Sequence, residues 1–294
     1  MPSFDLYYNP AMTPIKKPSS KDKSFTTKES PIGIFDSGIG GLTVVKSVMN
    51  ALPNEHIIYF GDTARVPYGI KSTDTIRQYA LQITDFLLRK NVKILLIACN
   101  SVAAAAQKEI KTRCGNIPVL DVIEAGAQAA VAQSSHTGQI GVIGTLATIG
   151  SGAYDQALKK LNYEARVYSR ACPLLVPLAE EGWIDNLVAI ETLKTYLAEF
   201  SNIKLDSLIL GCTHYPLFKE SIRKVLGDDL TIIDSADSIA VMAREHLDSQ
   251  NRRNDVSKGK FDCYVSDKPQ RFKNLAERFL GHKLNRVKIV TLDG

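Results

Sequence analysis

From Ile32 onward, short apolar runs alternate with stretches in which apolar residues recur every three or four positions. Unbroken apolar runs of this length suit strands buried on both faces, and the longer periodic stretches suit helices with one buried stripe. Strands are expected at 32–35, 56–60, 93–98, 117–120, 139–143, 164–168, 206–210 and 230–233, then at 261–265 and 286–292. Ser72, Thr73 and Asp74 can cap a helix whose apolar face is Ile76, Tyr79, Ala80, Ile83, Phe86 and Leu87. Asp185 and Asn186 can cap a second, through Leu187, Ile190, Leu193 and Leu197, and Ser235 to Asp237 precede a third, through Ile239, Met242, Ala243 and Leu247. A further helix is expected over 268–280, and a solvated connection over 249–260. Strands and helices in alternation predict an α/β fold with mostly parallel sheets.

The pattern repeats. Cys99 ends the run Ile94–Ala98 and leads into Asn100-Ser101-Val102; Cys212 ends Leu208–Gly211 and leads into Thr213-His214-Tyr215-Pro216. Ile32–Ser37 and Ile140–Thr145 echo one another at a similar offset. The expected architecture is therefore two similar doubly wound α/β domains related by a pseudo-two-fold, with the active site in the cleft between them. Residues 31–122 with 236–294 would form the first domain and 123–235 the second. The closing strand–helix–strand piece is too small to fold alone, so it should return to the first domain. Residues 1–30, rich in Lys, Ser, Thr and Pro, read as a mobile tail.

A chain of 294 residues, 45% hydrophobic and 23% charged, has the size and balance of a two-domain globular protein. The net charge of +5 is spread thinly, with five lysines against three acids in the first thirty residues, which argues against nucleic-acid binding. No apolar stretch approaches the ~18 residues of a membrane span, and no signal peptide is visible. Five irregularly spaced cysteines (99, 114, 172, 212 and 263) suit neither a disulfide framework nor a zinc site. A reducing, cytoplasmic setting with free thiols and no metal is expected.

Free thiols suit one demanding chemistry. Removing the α-proton of an amino acid leaves a poorly stabilised carbanion, so a cofactor-free enzyme needs a base on one face and an acid on the other. A helix N-terminus can lower a thiol pKa from its usual ~8.5, and Asn100, Ser101 and Thr213 are cap-type residues beside the two cysteines. A cysteine ending a strand usually just packs, but packing gives no reason to repeat the whole context. Cys114, Cys172 and Cys263 lack that context and read as inert. Asp36-Ser37-Gly38-Ile39-Gly40-Gly41 is either a tight helix-start turn or a cradle whose N–H groups hold a carboxylate-sized anion. Thr43 occupies the place of the third glycine of a dinucleotide fingerprint, and no P-loop lysine follows. Gly61–Gly69, with Asp62, Pro67 and Tyr68, reads as a ligand loop or as an ordinary turn capped by Asp62. His214 can tune Cys212 or receive its proton, or can be a surface residue near a cap. Local pattern does not choose between Glu180 and Glu181, and Thr145 is either a hydroxyl donor to a carboxylate or a cap.

These motifs together resemble the aspartate/glutamate racemase superfamily, and within it glutamate racemase, over residues 32 to about 245. The resemblance rests on Gly33–Gly41, Tyr59–Gly69, Ala98–Ser101, Val176–Gly182 and Gly211–Pro216, in family order. It implies cofactor-independent interconversion of L- and D-glutamate, supplying D-glutamate for peptidoglycan. By that similarity Cys99 exchanges the proton on the D-glutamate face and Cys212 on the L-glutamate face, with Asp36 and His214 assisting the thiols and Asp62 and Glu180 supporting. Asp36, Ser37, Pro67, Tyr68, Gly69, Cys99, Asn100, Ser101, Thr145, Cys212, Thr213 and His214 match substrate-binding segments. Ser101 stands where the family commonly has threonine. Some members with N-terminal extensions are activated by a peptidoglycan precursor, which makes such a molecule a candidate partner here, as is a second copy in a homodimer.

Three other readings remain at this level. Aspartate and hydantoin racemases resemble a Cys-Thr-Glu pattern where His214 stands here. A gyrase-inhibiting relative would use the fold for protein contacts. A thiol hydrolase needs one nucleophile rather than a matched pair.

Overall fold

A computed structural model describes residues 26–134, 138–162, 164–256, 258–284 and 286–292. Strands β1 (Ile32–Asp36), β2 (His56–Gly61), β3 (Ile94–Ile97) and β4 (Val119–Asp121) come first, and β5 (Gln139–Gly144), β6 (Arg166–Ala171), β7 (Ser207–Gly211) and β8 (Thr231–Asp234) follow. Strands β9 (Lys260–Val265) and β10 (Val287–Ile289) close the chain. Helices α1 (Leu42–Ala51), α2 (Thr73–Leu88), α3 (Asn100–Cys114) and α4 (Val122–Gln133) belong to the first half. The remainder are α5 (Leu146–Gly150), α6 (Ala153–Leu161), α7 (Leu175–Glu181), α8 (Leu187–Leu197), α9 (Lys219–Leu226), α10 (Ser235–Ser249) and α11 (Pro269–Leu280). Each expected strand is present, with ends moved by a few residues at most.

All strand pairs are parallel. One sheet has the order β10-β9-β2-β1-β3-β4 and the other β6-β5-β7-β8. Removing β9 and β10 leaves 2-1-3-4 in one unit and its equivalent, 6-5-7-8, in the other, so the echoes at Ile32 and Ile140 mark the two central strands. Strands β1, β3 and β7 are buried along their whole length, which is why they read as continuous apolar runs. Strand β9 pairs with β2, so the closing piece returns to the first sheet as its small size demanded.

Capping follows the local chemistry. Ser72 accepts from Thr75 N–H and Asn186 from Ala189 N–H, as expected. For α10 the cap is Asp234, one residue ahead of the expected Ser235–Asp237 segment. Helix α4 packs on α6 and β7, whereas α10 packs on α1 and meets α4. On these contacts we propose the division into residues 31–122 with 236–294, and 123–235. Residues 1–25 of the segment read as a tail lie outside the described residues. Beyond them, Arg252 donates to Thr26, Lys28 Nζ to Asn251 Oδ1 at 3.1 Å, and Lys93 Nζ to the Lys28 carbonyl at 2.6 Å.

Candidate active site

In each unit the chain leaves its central strand toward opposite sides, so the loops beyond the central strand and its next neighbour part and open a crevice at the carboxyl ends. Cys99 follows β3 at the N-terminus of α3, and Cys212 follows β7. Both line one cavity of about 340 Å³. From the first unit come Ser37, Pro67, Tyr68, Gly69, Asn100 and Ser101, and from the second Thr145, Glu180, Thr213 and His214. Val66, Ile70, Leu146, Pro173, Val176 and Pro177 complete an apolar wall. Asp36 and Asp62 do not line it.

Asp36 is fully buried behind the cavity wall. Its Oδ2 accepts the N–H groups of Gly38 at 3.1 Å and Gly41 at 2.9 Å, so two donors of the glycine turn are taken by the chain's own carboxylate rather than left for a ligand. Oδ1 is buried with no hydrogen-bond partner. This buried carboxylate bears directly on Cys99. Burial, then the negative Asp36, push its thiol up to about 12, against the opposing N–H groups of Val102 and Ser37. Helix-start donors are present, but desolvation and a neighbouring anion outweigh them. Asn100 and Ser101 also lie inside α3 rather than capping it, and Cys99 is its N-cap residue without a side-chain cap bond.

The second thiol has a different neighbour. His214 is buried, not a surface residue; its Nδ1 stands 3.9 Å from Cys212 Sγ and its Nε2 3.3 Å from Glu180 Oε1. Burial opposes a charge on the ring, yet contacts with Cys212 and Glu180 raise its pKa to about 10. Glu180 is held below the usual carboxylate range, first by its hydrogen bond with His214. Glu180 and not Glu181 is thus the acid of this pair. The helical start after Thr213 is a 3-10 turn, Tyr215–Phe218, with α9 following, and Pro216 sits in its first turn, where the missing N–H breaks no helical bond.

Asp62 acts one layer out. It accepts from the Tyr68 hydroxyl, from Arg65 Nε at 2.7 Å and from Ser266 Oγ at 2.7 Å, and so anchors a cavity-lining tyrosine. Thr145 is both a cap and a wall residue: it accepts Thr148 N–H, and its hydroxyl lies 3.0 Å from Ser101 Oγ across the units. Cys114, Cys172 and Cys263 are buried away from the cavity, each pushed up to about 12 by burial. All five thiols are free. Among the described residues no helix is long and apolar enough to cross a membrane.

The model of the Asp/Glu/hydantoin racemase family matches residues 32–243. The glutamate racemase of Syntrophus aciditrophicus is 51% identical over 89% of this chain and 97% of its own length. The chain belongs to this racemase family and groups there with the glutamate racemases. The glutamate racemase of Francisella tularensis, solved in complex with D-glutamate, superposes with a TM-score of 0.85 at 42% identity, covering 90% of this chain and 99% of that one. The aspartate racemase of Picrophilus torridus, at 18% identity and a TM-score of 0.51 over 73% of this chain and 94% of that one, shares the fold alone.

The racemase family match stops before β9, α11 and β10. Contacts of the site that come from that region include Ser266 on Asp62, and Phe279, whose ring meets His214 edge-on at 5.5 Å and 85°. Neither carried a sequence signal, because their partners lie tens to hundreds of residues away. Tyr154, whose hydroxyl donates to Asn100 Oδ1 at 2.7 Å, was missed for the same reason.

Proposed function

We propose that this racemase interconverts L- and D-glutamate by a two-base proton transfer between Cys212 and Cys99, without a cofactor, supplying D-glutamate for peptidoglycan in the cytoplasm. The observation that carries the reading is that both cysteines, delivered by equivalent strands, line one cavity. On L-glutamate, Cys212 as its thiolate takes the α-proton, and the His214 imidazolium, backed by Glu180, stabilises that thiolate. Cys99, protonated at neutral pH, delivers its proton to the opposite face of the carbanion. In the D-to-L direction the two exchange roles.

Neither Lys nor Arg lines the cavity, so the substrate carboxylates fall to neutral donors. Hydroxyls of Ser37, Ser101, Thr145 and Thr213 are at hand, and Asn100 Nδ2 is a buried donor with no partner in the protein. The relatives of about half identity, all glutamate racemases, support glutamate over aspartate or hydantoin substrates.

The test is a chiral assay of the purified protein on both glutamate enantiomers in heavy water, with aspartate and hydantoins alongside. Racemisation with deuterium entering at Cα is expected for glutamate. Cys99→Ser and Cys212→Ser should each lower turnover by roughly 10²–10⁴-fold, the usual worth of a positioned acid or base. Full turnover in the double variant, or activity confined to another amino acid, would refute the reading.

A further inference from the structure

His214 is held from more sides than catalysis by a bare thiol–imidazole pair requires. Cys212 and Glu180 take its two nitrogens, and Phe279 of α11 meets its ring edge-on at 5.5 Å. The next residue back, Arg278, donates Nη1 to the Glu180 carbonyl at 2.7 Å. That carbonyl belongs to the last turn of α7, where acceptors lack helical partners and a cation is favoured. Gly182 then turns the chain with φ +78°, and a Cβ there would lie 2.8 Å from Arg278 Cζ, so the guanidinium packs directly on this turn. Arg271, one further charge on α11, helps to keep the Glu180 carboxylate ionised. Helix α11 is part of the closing piece carried by the first sheet, whereas His214 and Glu180 follow strands of the second.

We propose that α11 is a positioning element for the Cys212 half of the site, with Phe279 fixing the His214 ring and Arg278 fixing the backbone from which Glu180 reaches it. Cys99 has no aromatic or guanidinium contact of this kind from α11: Asp36, Ser37 and Val102 bear on its thiol, and α11 approaches that side through Phe272, whose ring lies 6.3 Å from that of Tyr59. A change at Phe279 or Arg278 therefore acts on the Cys212 half of the site. The titratable groups facing His214 are Cys212 and Glu180, with Arg271 and Arg278 beyond them on α11. Neither Phe279 nor Arg278 touches the cavity, so both act through the histidine–glutamate pair.

The experiment uses the full chain and iodoacetamide, with alkylation of each cysteine followed by peptide mass spectrometry across pH, alongside kcat and KM for both enantiomers. In Phe279→Leu and Arg278→Gln, alkylation of Cys212 should move to higher pH by about one unit, a tenfold change at fixed pH. The Cys99 profile should stay where it is, KM should hold within about twofold, and Arg278→Lys should recover most of the loss because one donor still reaches the carbonyl. Arg278 is exposed, so its variants probe the contact without opening the core. Leu280→Ala, a buried α11 change outside the contacts that hold His214 and Glu180, should lower the melting temperature without moving either profile. Unchanged Cys212 profiles in both variants, or equal shifts at Cys99 and Cys212, would overturn the proposal. It rests on the pairing of His214 with Cys212, yet alkylation reads that pairing even in a protein that racemises nothing, so the two failures are distinguishable.

Discussion

Tyr154, on α6, donates its hydroxyl to Asn100 Oδ1 at 2.7 Å, at the first turn of α3. The bond orients the amide so that its two N–H donors point away from Tyr154, and Nδ2 has no partner in the protein. A ligand carboxylate would complete it. Tyr154→Phe should therefore raise KM for glutamate by roughly 3–10-fold, the worth of one hydrogen bond, while kcat changes less than twofold. Asn100→Ala should raise KM further. Equal KM values in wild type and Tyr154→Phe would show that the amide holds no substrate group.

Gly40 lies where the first unit touches His214. A Cβ there would sit 2.3 Å from Thr213 Oγ1 and 2.5 Å from His214 Nδ1, so the histidine must move. Displacing a positioned group by about 1 Å can cost on the order of 10²-fold in rate. Gly40→Ala is expected to lose activity on that scale while circular dichroism stays near wild type and the melting temperature falls by only a few degrees, as overpacking of about 1–3 kcal/mol would give.

The His214–Glu180 pair carries a pH signature. The ring pKa is raised from the ordinary histidine value of 6.5 to about 10, so its folded form binds a proton more tightly than its unfolded form. The stability this contributes is fully present below about pH 6.5 and is lost as pH rises toward 10. Glu180→Gln removes the negative partner and should bring that loss to lower pH. Denaturant melts at pH 6 and pH 10 should show a smaller difference in the variant, and the alkaline limb of kcat/KM should move the same way.

Far from the cavity, Lys93 Nζ lies 2.6 Å from Glu55 Oε2, both side chains out of contact with solvent. The ammonium also donates to the carbonyls of Lys28 and Arg252, so its three protons are used. Burial still depresses its pKa, the sign of a costly site. Lys93→Met leaves a buried carboxylate unpaired and should cost about 3–5 kcal/mol of stability. Adding Glu55→Leu should restore much of it. Activity per folded molecule should be unchanged in both, measured after correcting for the folded fraction by urea titration.

Local pattern carried much of this molecule. Unbroken apolar runs located the strands because a parallel strand is covered on both faces. Repeated strand–cysteine contexts located both thiols because equivalent strands end at equivalent loops. Capping residues such as Ser72 and Asn186 were legible because a cap bonds within three residues of itself. What stayed open was chemistry that depends on surroundings. The glycine turn, which local pattern left between a helix-start turn and an anion cradle, holds Asp36, and the helix start that can acidify Cys99 is outweighed by burial and by Asp36.

The places of the strands along the chain, the repeat and the strand-end positions of the two cysteines were thus decided by the sequence alone, since each depends on spacing along a few residues. Only the tertiary structure decided that Glu180 rather than Glu181 meets His214, that Asp36 is buried outside the cavity lining, and that Ser266, Phe279 and Arg278 support the site. Those outcomes rest on burial and on contacts between segments tens to hundreds of residues apart. Hydrophobic periodicity says which face is covered, and folding alone says by what.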